Sequence, residues 1–300
     1  MLRLAVAIVL AVLAHLACAQ AVPADRAGTV SLVEGDVRFL DAKQRARRPK
    51  VGDAIYEGEG IVTGSDGEVH LDMQDGGYIG VRSGTQLNIV NFKAQGGQDD
   101  SFVLSLFEGS FRAVSGWITK SRARRAEVQT PTVTIGIRGT DYEPLVIPEG
   151  SKVGEAGTYN RVNIGETEMR NAQGSVIVKP NQAGFMPHSG AHAPRVLERV
   201  PAVFRPTRNE KRFDGLHQRI HQNLEQRRQQ RIKQVEQHKQ QRVKAAGAQK
   251  SALEQRREQR LQREAQKQAE DKRRIEHAKA AKKAEHEERR KHRAEKHDQR

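Results

Sequence analysis

The sequence predicts an all-β body, sandwich-like, barrel-like or solenoid-like, followed by a long charged C-terminal arm that is α-helical or partly disordered. Three observations carry this reading. Apolar and polar residues alternate in short runs between glycine turns up to about residue 187. No sustained 3.6-residue period occurs before about residue 195. No proline follows Pro206, and Ala, Gln, Glu, Lys and Arg dominate from there on.

The first element is a targeting segment. Met1–Arg3 is a short positive start, Leu4 to Ala17 is apolar apart from His15, and small residues follow at Ala17-Cys18-Ala19-Gln20-Ala21. This is the three-part layout of a secretory signal peptide over residues 1–21. The apolar run falls short of the ~20 residues that span a bilayer. Cleavage after Ala19 or Ala21 removes Cys18, the only cysteine, so the mature chain has no disulfide and no thiol chemistry. A lipoprotein reading would make Cys18 the first mature residue. It fits less well, because His15 stands where an aliphatic residue is usual. The expected location is periplasmic or secreted.

The second element is the β body, residues 22–187. Alternation marks Val37–Phe39, Val69–Met73, Gln86–Ile89, Val133–Ile137, Val162–Ile164 and Val176–Val178. Period-2 runs of this length are half-buried strands. Between them lie Glu34-Gly35-Asp36, Gly64-Ser65-Asp66-Gly67, Asp75-Gly76-Gly77 and Ser83-Gly84. In such turns glycine supplies positive φ without a Cβ clash. About a dozen short strands are expected, at the spacing of sandwiches, barrels and solenoids.

The third element is a linker, residues 188–207, marked by Pro194, Pro201 and Pro206. The fourth is the basic tail, residues 208–300, with 29 Lys/Arg against 15 Asp/Glu; the first 207 residues hold 23 against 22. The chain's net charge of +15 is therefore almost wholly the tail's. Phe213, Leu216, Ile220 and Leu224 recur at spacings of three and four, an apolar stripe about two turns long. Beyond them Ile232, Val235, Val243, Leu253, Leu261 and Ile275 are too sparse for a heptad coiled coil. Acid-to-base pairs such as Glu270–Arg274 and Glu285–Arg289 favour a solvated helix by a few tenths of a kcal/mol each.

At this point the motifs resemble a family. Gly28-Thr29-Val30, Gly35-Asp36-Val37 and Val51-Gly52-Asp53 are similar to the opening of the FecR domain, the periplasmic part of iron-transport signalling regulators. Glu57–Gly64, Asp75-Gly76 through Val81, Thr85-Gln86-Leu87 and Gly109-Ser110-Phe111-Arg112 resemble its next steps. The most specific match is Val128 to Tyr142, with Thr130-Pro131 and Ile137-Arg138-Gly139-Thr140-Asp141-Tyr142. The resemblance covers about residues 26–187. It implies a β-rich, solenoid-like fold and a role in transmembrane signalling. The full regulators resemble one another in a cytoplasmic helical domain and a membrane span ahead of this domain. Here three residues precede a cleavable apolar run, so direct sigma-factor contact is not expected.

Candidate binding residues follow from chemistry. Arg138, between Gly136 and Gly139 at an expected strand end, has the planar fork that grips an anion; the alternative is an internal ion pair. Thr140 accompanies it in the motif. Trp117, the single tryptophan, is either a stacking platform or core filler. Arg122, Arg124 and Arg125 form a basic loop for phosphates or for solvent. Asp72, Asp75, Asp99 and Asp100 lack the ligand spacing of a calcium loop. His217 and His221 stand at i,i+4, two ligands where a stable metal site needs more. No Gly-x-Ser-x-Gly, His-Glu-x-x-His or P-loop occurs. No enzyme activity, metal or cofactor is expected.

The sequence therefore points to a non-enzymatic exported binding or scaffold module at the bacterial envelope. The β body would contact a protein or glycan. The basic arm would hold it to anionic lipid, lipopolysaccharide or wall polymer. Nucleic acid is not an expected partner, since export and the lack of interleaved aromatics both oppose it. The alternative is a periplasmic signalling adaptor of the iron-transport type.

Overall fold

The computed structural model describes residues 25–120 and 125–298, with side chains to residue 283. The expected signal peptide lies outside the described residues, as do Arg122 and Arg124. Two compact units result, Met1–Arg227 and Arg228–Arg300.

The first unit is β. Its short strands are β1 (Arg26–Glu34), β2 (Val37–Leu40), β3 (Ala46–Arg47), β4 (Ala54–Tyr56), β5 (Gly60–Thr63), β6 (Glu68–Met73), β7 (Tyr78–Val81) and β8 (Gln86–Lys93). Then come β9 (Ser101–Val114), β10 (Arg125–Gln129), β11 (Thr134–Ile147), β12 (Gly157–Asn171), β13 (Gly174–Val178), β14 (Gln182–Pro187) and β15 (Arg195–Val196). All pair into one open network along the path β15-β14-β12-β11-β10-β9-β7-β6-β1-β4, with β2, β3, β5, β8 and β13 branching from it. Among the described residues every ladder is antiparallel except β9–β10. The all-β body is as expected. The pairing is not the stacked parallel pattern of a parallel β-solenoid.

Three strands are far longer than the expected five residues or so: β9, β11 and β12 run 14, 14 and 15 residues. Each contains a glycine with left-handed φ: Gly109 at 78°, Gly139 at 65° and Gly165 at 80°. In the sequence such a glycine reads as a turn. Here it is a bend inside one strand, and the β11–β12 register shifts between Arg138 and Asp141. Arg138 therefore sits mid-strand at a bulge, not at a strand end.

Alternation decides the core. Val69, Leu71, Ile79, Val81, Phe111, Ala113, Tyr142 and Val162 point inward into one large cluster with Phe39, Ile61, Leu87 and Leu104. Residues of opposite parity on β6, β7, β9, β11 and β12 share the outer face. Register sets His70 opposite Gly80, Gly80 opposite Arg112, and Glu143 opposite Arg161. That face carries His70, Arg82, Arg112, Asp141 and Glu143, and it is covered. The chain returns after β15, turns at Glu210–Phe213 in a short 3-10 helix, and starts helix α1 (Leu216–Asp298). Phe213, Ile220 and Leu224 are buried with Tyr78 and Val114. The first unit thus extends past the expected boundary at residue 207, because the two-turn apolar stripe finds a sheet face to cover.

The second unit is the rest of α1. Ile232, Val235, Val243, Leu253, Leu261 and Ile275 are all exposed. At about 100° per residue they share an arc of about 80°. Lys239, Lys250 and Arg257 fall on the same arc. Glu264 and Asp271 fall on it too, so in-register parallel self-pairing along this seam would set like charges against each other.

Candidate functional site

The outer-face site grows from five strands and one returning segment. Arg112 on β9 follows Gly109-Ser110-Phe111, and Asp141 on β11 follows Arg138-Gly139-Thr140. Their side chains meet in a two-pronged pair: Arg112 Nε and Nη2 donate to Asp141 at 2.9 and 2.7 Å. Arg82, just past β7, donates to Glu143 Oε2 at 2.8 Å. Asp141 and Glu143 are each 2% exposed at the side chain, so the arginines are their essential counter-charges. Asn163 on β12 donates to both carboxylates at 3.1 and 2.8 Å.

Glu210 enters this network from the returning segment. It accepts from Arg112 Nη1 at 2.6 Å and from Arg82 Nη2 at 3.2 Å. Burial alone would raise its pKa, but Arg82 and Arg112 outweigh that and hold the carboxyl below its usual range. Burial would likewise lower the Arg112 pKa, and the bond to Asp141 outweighs it, so the guanidinium stays charged. Thr207 lies three residues before Glu210, and its backbone N–H donates to Glu210 Oε2 at 3.2 Å.

Phe213 occupies a slot beside the charges. The Arg112 guanidinium lies 4.6 Å over its ring, and the His70 and Tyr78 rings stand 5.8 and 5.4 Å away. The slot exists because position 80 is glycine: a Cβ there would sit 2.9 Å from Phe213 Cζ. Beneath it runs a buried chain of polar groups, with Glu68 Oε1 2.6 Å from His70 Nε2 and His70 Nδ1 2.7 Å from the Tyr78 hydroxyl. Thr207 Oγ1 caps this chain by donating to Glu68 at 3.0 Å. Burial raises the Tyr78 pKa, which leaves a neutral phenol and no activated nucleophile.

Past Phe213, His217 and His221 stack at 4.0 Å between ring centroids. Both Nε2 atoms are buried without a hydrogen-bond partner. Burial lowers both pKa values, that of His221 to about 4, with His217 beside it adding to the shift. Among the described residues no group of three or more metal-binding side chains occurs. A cleft of about 530 Å³ remains open between the returning segment, Arg161, Asn163 and the ion network.

The sequence-derived candidates fall elsewhere. Arg125 and Arg138 do share a cleft, of about 670 Å³, with Lys120 and Arg170. Carboxylates answer them: Arg125 binds Glu127 at 2.6 Å and Arg138 binds Glu168 at 3.2 Å and Glu166 at 3.6 Å. Arg138 thus makes an internal pair, with partners on β12. Thr140 is fully buried, with its N–H donating to Ser115 Oγ at 2.7 Å, so it offers nothing to a ligand. Trp117 is core-edge filler: it packs between the two apolar clusters and donates to Asp100 at 3.2 Å. Arg82, Glu143 and Glu210 were missed. The Thr-x-x-Glu spacing at Thr207–Glu210 was the one available signal for the last.

Comparison with known proteins supports the motif reading. Residues 59–157 match the family model described as FecR protein. No curated protein matches the chain. Among solved structures, two crystal structures of a candidate anti-sigma factor from Parabacteroides distasonis are similar at 12% and 13% identity, each with a TM-score of 0.38. They cover 47% of this chain, which spans 59% of theirs. A cell surface anchoring domain is 26% identical over 21% of this chain and 82% of its own, with a TM-score of 0.20.

Proposed function

We propose that this chain is a non-enzymatic signalling regulator of the cell envelope. In this reading the FecR-like body is the sensing module, and the root of α1 carries its state to a separate membrane partner. The supporting observation is a coincidence of two facts. Arg82, Arg112, Asp141 and Glu143 all lie in the segment that matches the FecR family, and together they hold Glu210 at the base of the C-terminal arm. A change on the body therefore has a physical route to the arm through one buried ion network.

Export to the periplasm belongs to the same proposal and rests on the layout of residues 1–21. The test is a transcript profile of a host strain lacking the chain. Complementation with the natural sequence restores the profile under this reading, and complementation with Glu210→Ala/Phe213→Ala, which keeps the Arg–carboxylate pairs of the body, does not. Equal restoration by both would contradict it. The scaffold reading keeps one observation of its own, the net +14 of residues 208–300. It predicts salt-released retention on envelope fractions that disappears when residues 228–300 are removed.

A further inference from the structure

The groove on the outer face has the features of a peptide receptor, and the chain's own segment fills it. Arg82 and Arg112 clamp a carboxylate at 3.2 and 2.6 Å. The Gly80 slot takes an aromatic ring three residues later. Tyr78 and Val114 form a ledge for Ile220 and Leu224, one helical turn apart. A carboxylate and an aromatic on a 3-10 turn, followed after Asp214-Gly215 by two aliphatics on the helix, are the anchors of a turn-and-helix segment laid in a groove.

The receptor and its filler have different origins in the chain. Every wall residue named above lies within the segment matched to the FecR family, residues 59–157. The filler comes from beyond Pro201 and Pro206, outside that match. The fit of the filler is also incomplete. His217 and His221 each bury an Nε2 without a partner, and Arg161 Nε is buried without one at the open cleft alongside. Buried polar atoms left unpaired weaken a contact that a better-matched segment would satisfy. Cis filling lowers the apparent affinity of any competitor but does not close the site, because the filled state is one side of an equilibrium.

We infer that this groove is a docking site for a partner's helical segment, a turn carrying a carboxylate three residues ahead of an aromatic and leading into an apolar helix face, and that residues 207–224 occupy it in cis as a placeholder. Hydrogen bonding selects the partner: Arg82 and Arg112 are paired with Glu143 and Asp141, and still present Nη donors that a further carboxylate accepts. Binding in trans frees the root of α1. This does not depend on the signalling proposal, since the groove and its exchange are testable on the purified chain.

The experiment uses the full chain and a fluorescent synthetic peptide of residues 207–227, which stands in for the partner segment. Glu210→Ala/Phe213→Ala loosens the cis segment, and this variant should bind the peptide roughly ten-fold more tightly than the natural chain. Adding Arg112→Glu to the variant, or using a peptide with Glu210→Arg and Phe213→Ala, should abolish binding. Equal affinity for natural and loosened chains would overturn the inference, as would binding that survives Arg112→Glu. A second measurement needs no substitution in the chain. Saturating the natural protein with peptide should speed amide exchange at its own residues 216–224 while β6, β7 and β9 stay protected; unchanged exchange would overturn the inference. Concentration-dependent dimerisation of the loosened variant without peptide would also overturn it, by giving the groove to a second copy.

Discussion

Gly80→Ala isolates the aromatic slot. Gly80 has ordinary strand φ, so alanine strains no backbone. The added Cβ would lie 2.9 Å from Phe213 Cζ and 3.1 Å from His70 Nε2. Overpacking of this kind costs about 1–3 kcal/mol. Phe213→Ala removes a ring that is 4% exposed and so costs about 3 kcal/mol. In the double variant the main clash is gone, while the tight approach to His70 remains. The two changes should therefore couple by about 1–2 kcal/mol. The assay is denaturant unfolding followed by the fluorescence of Trp117, the single tryptophan, which packs against the Phe213 cluster. Costs that add to within about 0.5 kcal/mol would refute the slot as the reason for glycine at position 80.

Further predictions concern charge and pH. Arg112→Ala should destabilise the body by about 3–5 kcal/mol, because it strips counter-charge from two buried carboxylates. Arg138→Ala should cost under about 1 kcal/mol, because its pairs with Glu166 and Glu168 are half-exposed; calorimetric melting compares the two. Docking of the helix root should weaken as pH falls from about 6.5 toward 4. The folded His221 pKa is lowered to about 4, so the undocked state binds protons first. After discount for solvent screening the effect is about 1 kcal/mol, and histidine NMR titration at low ionic strength follows it. Asp75 gives the opposite sign. Burial raises its pKa to about 6, so its contribution is full below about pH 4 and is lost as pH rises through about 6, by roughly 3 kcal/mol. Asp75→Asn should flatten that part of the stability curve.

Much of this fold is legible in the sequence because its strands alternate. Val69-His70-Leu71-Asp72-Met73 reads as a half-buried strand; it is a strand, but every residue of it except Asp72 is buried. Alternation alone does not reveal that its second face is covered as well, since His70 and Glu68 look like solvent-facing residues until Thr207 and Phe213 close over them. Gly109, Gly139 and Gly165 show a second limit of local pattern. A glycine at positive φ has the same signature in a turn and in a bulge, and the long-range register decides which. The site suffered most from this. Arg112 and Asp141 are legible as motif members, yet Arg112's second partner Glu210 is 98 positions away, and the neighbouring pair Arg82–Glu143 is 61 positions apart. Arg138 drew attention for standing between glycines. Only Gly139 sits at the bulge, and Arg138 just before it pairs across to β12, where Glu166 and Glu168 take its guanidinium.

Amide hydrogen exchange along α1 tests the central claim most directly, namely that the ion network and the Phe213 slot hold the helix root on the FecR-like face. Residues 216–224 should exchange far more slowly than residues 232–275 in the natural chain, and Glu210→Ala/Phe213→Ala, which leaves the Arg–carboxylate pairs of the body intact, should erase the difference while β6 and β11 remain protected. Uniform exchange along the whole helix, or a difference that persists in the double variant, would contradict the account.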